Sequence, residues 1–261
     1  MIIFGKDEPV IKTHGVHLTS DINIFPEVAV GVFSRHLFSD IVSKYQCVKV
    51  GYMKNANFER DVYIMKYKDT ELTLFTASVG SPNIVADIEE LAFNGVKKFI
   101  IFGNCGVLDK TIPDCGIIIP TKAYREEGTS YHYIEGDEPI LLSDTYKETF
   151  KEILKEYDFD YREGATWTID AFYRETRDKV NYYKNQGCVC VEMEASAIAA
   201  CCKYKNLDYF TFYYAGDNLD SVEWEERSLH GEDMLDKKSE VALLALELAR
   251  KIKKTLDLLM K

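Results

Sequence analysis

Short apolar runs of strand length alternate with stretches in which apolar residues recur every three or four positions, and this continues from one end of the chain to the other. The alternation predicts an α/β fold built around a central mixed, largely parallel twisted sheet. Strands are expected over 28–33, 62–67, 72–77, 116–120, 161–169, 188–191 and 208–214. "KKFIIFGNCG" reads as a core strand that ends in a glycine-rich turn. Helices are expected over 35–45, 145–157, 176–185 and 194–205. In "GSPNIVADIEELAFNG", Pro82 suits a first helical turn, Ile84, Ile88, Leu91 and Ala92 form the apolar stripe, and Gly95 suits the stop. The C-terminal "SEVALLALELARKIKKTLDLLMK" is amphipathic over its whole length. Nothing reads as a linker, repeat or low-complexity tract, so residues 1–261 are expected to form one domain.

A chain of 261 residues with 46% hydrophobic residues can bury a large core. The formal charge of −11 argues against a general binder of nucleic acid or of anionic membrane, since phosphate backbones demand a basic surface. Any phosphate chemistry must therefore use a local site. The seven cysteines lack paired CxxC spacing and fall mostly in apolar segments, which favours reduced, buried thiols over a metal site or a disulfide framework. With "MIIFGKDEPVIK" at the N-terminus and no apolar run of membrane-spanning length, a soluble cytoplasmic protein is expected.

Candidate chemistry gathers at strand ends. In "GCVCVEMEASAIAACCKY", Glu192 and Glu194 flank Met193 at a strand-to-helix junction. A carboxylate there must find a donor, and Glu194 either caps the helix or serves a ligand. Three glycine-bearing loops are expected, at "VGVFSR" (30–35), "SVGSPN" (78–83) and "FGNCGV" (102–107), where backbone N–H groups can face an anion. Arg35, four residues after Gly31, is placed to bind an oxyanion. Asp217 follows an aromatic strand in "TFYYAGDNL", and "TIDAFYRETR" offers Phe172 and Tyr173 as stacking surfaces.

Taken together, these residues resemble the nucleoside phosphorylase family, which includes uridine phosphorylase and the hexameric bacterial type of purine nucleoside phosphorylase. The resemblance runs from about His14 to the final helix and is strongest in "GSPNIVADIEELAFNGVKKFIIFGNCG" and "VEMEASAIA". "TKAYREEGTSYHY" leans to the uridine phosphorylase branch. The resemblance implies a phosphorylase-type three-layer α/β/α domain, with Met193 against the sugar face, Glu194 on the ribose hydroxyls and Glu192 as an adjacent member. It implies Gly31, Arg35 and Asn104 at phosphate, although Ile101 stands where the family places an arginine; Arg125 and Arg60 are candidates to compensate. It further implies Phe172 stacked on the base, and a histidine lent across a subunit interface, for which His14 matches best and His17 remains an alternative.

At the base, "RETRDK" lacks the glutamine that reads uracil, with Arg177 as a remaining contact, while Asp217 matches the catalytic aspartate of the purine enzymes and Arg227 is placed to assist it. The expected activity is cleavage of the N-glycosidic bond of a nucleoside with phosphate as co-substrate, purine nucleosides favoured, without metal or organic cofactor. Sites shared within a homo-oligomer, either a dimer or a trimer of dimers, go with it. Alternatives are a uridine phosphorylase, a nucleosidase that uses water, and a nucleoside-binding protein without turnover.

Overall fold

A computed structural model of the chain describes residues 8–230 and 232–259. In chain order the elements are β1 (His17–Leu18), β2 (Val28–Val32), α1 (Arg35–Lys44), β3 (Gln46–Lys54), β4 (Glu59–Tyr67), β5 (Thr70–Thr76), α2 (Ser81–Phe93), β6 (Lys98–Val107) and β7 (Ile117–Glu126). They continue with β8 (Ile140–Leu141), α3 (Lys147–Glu156), β9 (Tyr161–Ile169), α4 (Arg177–Asn185), β10 (Cys188–Glu192), α5 (Ala195–Lys205), β11 (Asp208–Asn218) and α6 (Leu235–Leu259).

The strands form one mixed sheet in the order β1-β3-β4-β5-β2-β6-β10-β9-β7-β11. Parallel ladders join β5, β2, β6 and β11 at its centre, and β3, β4 and β5 extend it as antiparallel neighbours. The far half curls, because β11 pairs with both β6 and β7 and closes a ring through β6, β10, β9, β7 and β11. Side-chain alternation along β2 explains the layering. Val28, Val30 and Val32 pack with Leu37 of α1, Phe150 of α3 and Leu244 of α6, whereas Ala29 faces the opposite core, which holds Ile84 and Ile88 of α2 and Ile198 of α5. The result is the three-layer α/β/α arrangement that the family resemblance implied, around the sheet that the alternating blocks predicted.

Three local expectations change. "FGNCG" is not a turn: β6 runs through it to Val107. Its glycines instead clear space for neighbouring side chains, since a Cβ on Gly103 would lie 2.7 Å from the Phe33 ring and one on Gly106 would lie 3.1 Å from Asp217 Oδ1. Gly31 likewise sits inside β2, under the ring of Phe75. Asp217 lies within β11 rather than past it, just after a register shift between Ala215 and Asp217 against β6. Such a bulge re-aims the side chain that follows it.

Candidate active site

The C-terminal parts of β6, β10 and β11, the 3-10 turn Phe172–Arg174 and the loop before α6 enclose a cavity of ≈ 670 Å³. That volume suits a small organic ligand. Asn104, Phe172, Glu192, Met193, Glu194 and Asp217, all singled out in the sequence, line it. Gly31, Arg35, His14 and Arg227 do not stand among its lining residues.

Glu192 and Glu194, two residues apart, do different work. The carboxylate of Glu192 accepts hydrogen bonds from the backbone N–H of Glu194 (2.7 Å) and Ala195 (2.6 Å), and from the hydroxyls of Thr166 (3.1 Å), Thr168 (2.6 Å) and Tyr213 (3.3 Å). It satisfies two of the free N–H groups at the start of α5 and ties that helix to β9 and β11. Burial still pushes its carboxyl up, against the pull of these donors. Glu194, the residue at the α5 cap position, makes no capping bond with its side chain. It accepts from the Gly80 N–H at 2.6 Å and from the Met193 N–H at 3.3 Å, and both contacts leave acceptor capacity toward the cavity. Gly80 reaches it with φ +92, a conformation that favours glycine. Burial, then the charge of Glu192, push the Glu194 carboxyl up to about 8. The structural cap is thus Glu192, and Glu194 is the one left facing the cavity.

At the other end stand Phe172, Tyr173, Glu175, Asp217 and Trp224. Phe172 and Tyr173 have ring centroids 4.2 Å apart, and Phe172 remains half exposed. Burial raises the Asp217 carboxyl above the usual range, while the Trp224 indole N–H, donating at 2.8 Å, and the nearby charge of Arg227 pull it down. Arg227 itself is held by the Ile112 carbonyl (3.0 Å) and Glu225, so it acts on Asp217 at a distance. Arg177 lines the cavity, yet both its terminal nitrogens donate to carbonyls, Leu219 at 2.6 Å and Ser221 at 2.7 Å. It fastens the loop after β11 to the start of α4. Glu175, Trp224 and His230 escaped the sequence reading; only the proximity of Glu175 to Phe172 along the chain could have pointed to it.

At the remaining wall, Asn104, Phe33, Leu229 and His230 meet the cavity. Arg35 is exposed, its guanidinium 5.5 Å from the centre of the Phe58 ring. Ile101 is buried in the core shared with α2 and α5. Neither suggested substitute for the missing arginine is free. Arg125 donates to Ser130 Oγ and to the Ile134 and Gly136 carbonyls, and Arg60 is paired with buried Asp87 at 2.8 Å. Arg125 and Glu127 organise "REEGTSYH" internally, Glu127 accepting from the Thr129 and Ser130 backbone and from Ser196. That explains why this segment is distinctive without lining the cavity. His14 is exposed ahead of β1, and His17 stacks on Tyr52 with centroids 5.0 Å apart. Among the described residues no three His, Cys, Asp or Glu side chains gather as metal ligands would, and no helix is long and apolar enough to cross a membrane.

Comparison with known proteins agrees with this architecture. The chain is 26% identical over 183 residues to a guanosine phosphorylase of Halorubrum lacusprofundi, an alignment covering 70% of this chain and 75% of that protein. It is 27% identical over 194 residues to a DeoD-type purine nucleoside phosphorylase of Mycoplasma genitalium, covering 73% and 80%. The crystal structure of uridine phosphorylase from Vibrio fischeri shares the fold with a TM-score of 0.77 at 22% identity, covering 92% of this chain and all of that one. The phosphorylase superfamily model matches residues 28–254, the span that carries every strand of the ring and every wall of the cavity, and the chain therefore belongs to the phosphorylase superfamily of enzymes.

Proposed function

We propose that this enzyme cleaves the N-glycosidic bond of purine nucleosides with phosphate, releasing the free base and (deoxy)ribose 1-phosphate. The observation that carries the reading is the position of Asp217, inside the cavity beside Phe172 with its carboxyl raised by burial. A protonated Asp217 gives its proton to a purine ring nitrogen as the C1′–N9 bond breaks and its electron pair moves to the base. Arg227 biases that proton. Met193 lies against the sugar, Glu194 accepts its hydroxyls, and Glu192 positions both by holding the start of α5. Positive character on the ribose carbon is met by the attacking oxygen. Phosphate is assigned to the wall where Asn104 and Phe33 meet the cavity, with Gly31 and Arg35 flanking Phe33 outside its lining, and His14 reaches the ribose of a neighbouring subunit in a dimer or trimer of dimers. Uracil has no equivalent ring nitrogen to protonate, and Arg177, the remaining uridine-type contact, is spent on carbonyls.

One observation favours water as acceptor instead. Five carboxylates line the cavity, at Glu175, Glu192, Glu194, Asp217 and Glu226, against Arg177 and a His230 that is paired with Glu226 at 2.7 Å. A phosphate dianion needs more positive charge than this wall supplies. Turnover of inosine, guanosine, adenosine and uridine with and without phosphate separates the readings. Ribose 1-phosphate formed only with phosphate supports phosphorolysis, and free ribose without phosphate supports hydrolysis. A uridine preference, or an Asp217→Asn enzyme with unchanged purine turnover, overturns the purine assignment.

A further inference from the structure

The aromatic end of the cavity holds a carboxylate that the mechanism does not use. Glu175 lies three residues after Phe172, where its backbone N–H donates to the Phe172 carbonyl at 3.1 Å and so closes the 3-10 turn. It lines the cavity together with Phe172, Tyr173, Asp217 and Trp224. The other carboxylates at this wall have partners: Asp217 takes the Trp224 indole, and Glu226 takes His230. The Glu175 carboxylate has no hydrogen-bond or ion-pair partner among the described residues, although Lys179 is near enough to influence it and is itself bridged to Glu126. A half-buried acceptor without a donor, next to a stacking ring, is arranged to receive donors from a flat ligand.

We propose that Glu175 reads the Watson–Crick edge of the purine and selects bases that present N–H donors there, guanine first and hypoxanthine second, over adenine. This rests on the nucleoside-cleaving reading above and names the base within it. Guanine offers N1–H and the exocyclic N2–H side by side, matching the two oxygens of one carboxylate, as a bidentate pair does elsewhere. Hypoxanthine offers N1–H alone. Adenine turns a lone pair at N1 toward the same oxygens, so its binding requires a proton between them. Uracil presents a single N–H flanked by two carbonyl oxygens that the carboxylate repels. Asp217 and Glu175 then divide the base between them, one supplying a proton to the imidazole side of the ring and the other accepting from the pyrimidine side.

The two charged groups facing Glu175 set how this choice varies with pH. Burial, and then the charge of Asp217 when that group is ionised, push its carboxyl up to about 8, with Lys179 opposing. Near neutrality the empty site holds the proton in a large fraction of molecules. A guanine edge expels that proton on binding, whereas an adenine edge keeps it. The guanosine-to-adenosine ratio of kcat/KM should therefore rise with pH across the neutral range.

The test is kcat/KM for guanosine, inosine and adenosine at several pH values in the native enzyme, Glu175→Gln and Glu175→Ala, with affinity for free guanine and adenine measured by calorimetry alongside. Expected are a native preference for guanosine over adenosine of about tenfold or more, and a fall of about 10–100-fold on guanosine in Glu175→Gln with adenosine spared or improved. Inosine should fall less than guanosine, and the pH dependence of the ratio should flatten. Unchanged guanosine-to-adenosine discrimination in a folded Glu175→Gln enzyme overturns the inference while leaving nucleoside cleavage intact. If no nucleoside is cleaved by the native enzyme, the cleavage reading fails; the calorimetry then still decides Glu175, since guanine affinity that survives Glu175→Gln refutes base reading and affinity lost selectively over adenine supports it.

Discussion

The indole N–H of Trp224 donates to Asp217 Oδ2 at 2.8 Å, and both side chains line the cavity together with Phe172. A donor to a carboxylate favours its charged form, so this bond works against the burial that raises the Asp217 carboxyl. The balance sets the pH at which the acid is lost. Trp224→Phe keeps an aromatic wall and removes the donor. The Asp217 carboxyl should then titrate higher, and the alkaline limb of the kcat/KM profile on a purine nucleoside should move up by roughly half to one pH unit. A limb that stays put means that Asp217 is not the group titrating.

Glu194 invites a combined test of activity and stability. Its carboxyl is raised to about 8 in the folded chain, above the ordinary glutamate value. Between the two values the folded state holds more protons than the unfolded state, so this residue makes stability fall as pH rises through that window. Glu194→Gln removes the effect. Its Tm should exceed that of the native protein by a few degrees at pH 8, with the gap closing toward pH 4. Activity should move the other way, with kcat/KM lower by about 100-fold and the preference for ribo- over 2′-deoxyribonucleosides reduced, because a hydroxyl acceptor is gone.

Two residues away, the same substitution should do the reverse to the fold. Glu192 accepts from five donors in a dry environment, and a carboxamide would set its own N–H group against one or more of them. Glu192→Gln should cost about 2–4 kcal/mol of stability, read by denaturant melts. A neutral result would show that the start of α5 does not depend on this carboxylate.

How these two glutamates divide their labour shows what a sequence can and cannot carry. The strand-to-helix switch at 188–205 was legible because apolar period changes there, and β9 and α4 fell where the pattern put them. Which glutamate caps the helix was not, since it depends on Thr166, Thr168 and Tyr213 arriving from other strands. The glycines of "FGNCG" misled for a related reason: their small size serves Phe33 and Asp217, which are remote in sequence, and only local turning is visible in a one-dimensional string. β3 went unread because its first residues, apolar Val48 included, are exposed or half-buried, leaving only Val50, Gly51 and Met53 buried across a register shift. Glu175 and Trp224 were invisible as a pair with Asp217, because only the bulge in β11 and the 3-10 turn bring them to one wall.

His14 offers the most direct test of assembly. It is exposed ahead of β1 and absent from the cavity of its own chain, and the segment around it leaves Val10, Ile11 and Ile24 exposed as well. Exposed apolar side chains such as these suit coverage by a second copy. If His14 serves a neighbour's ribose, His14→Ala and Asp217→Asn are each impaired, but their defects lie in different halves of a composite site. Unfolding the two variants together and refolding them as a mixture produces hybrids in which one site joins an intact Asp217 to an intact His14. In a randomly assembled dimer about a quarter of all sites regain both groups, so activity should recover to about that fraction of the native level. Mixing without unfolding should recover less. No recovery in hybrids that light scattering shows to be dimeric or larger, or full activity in a native monomer, would rule out sharing and return His14 to the surface.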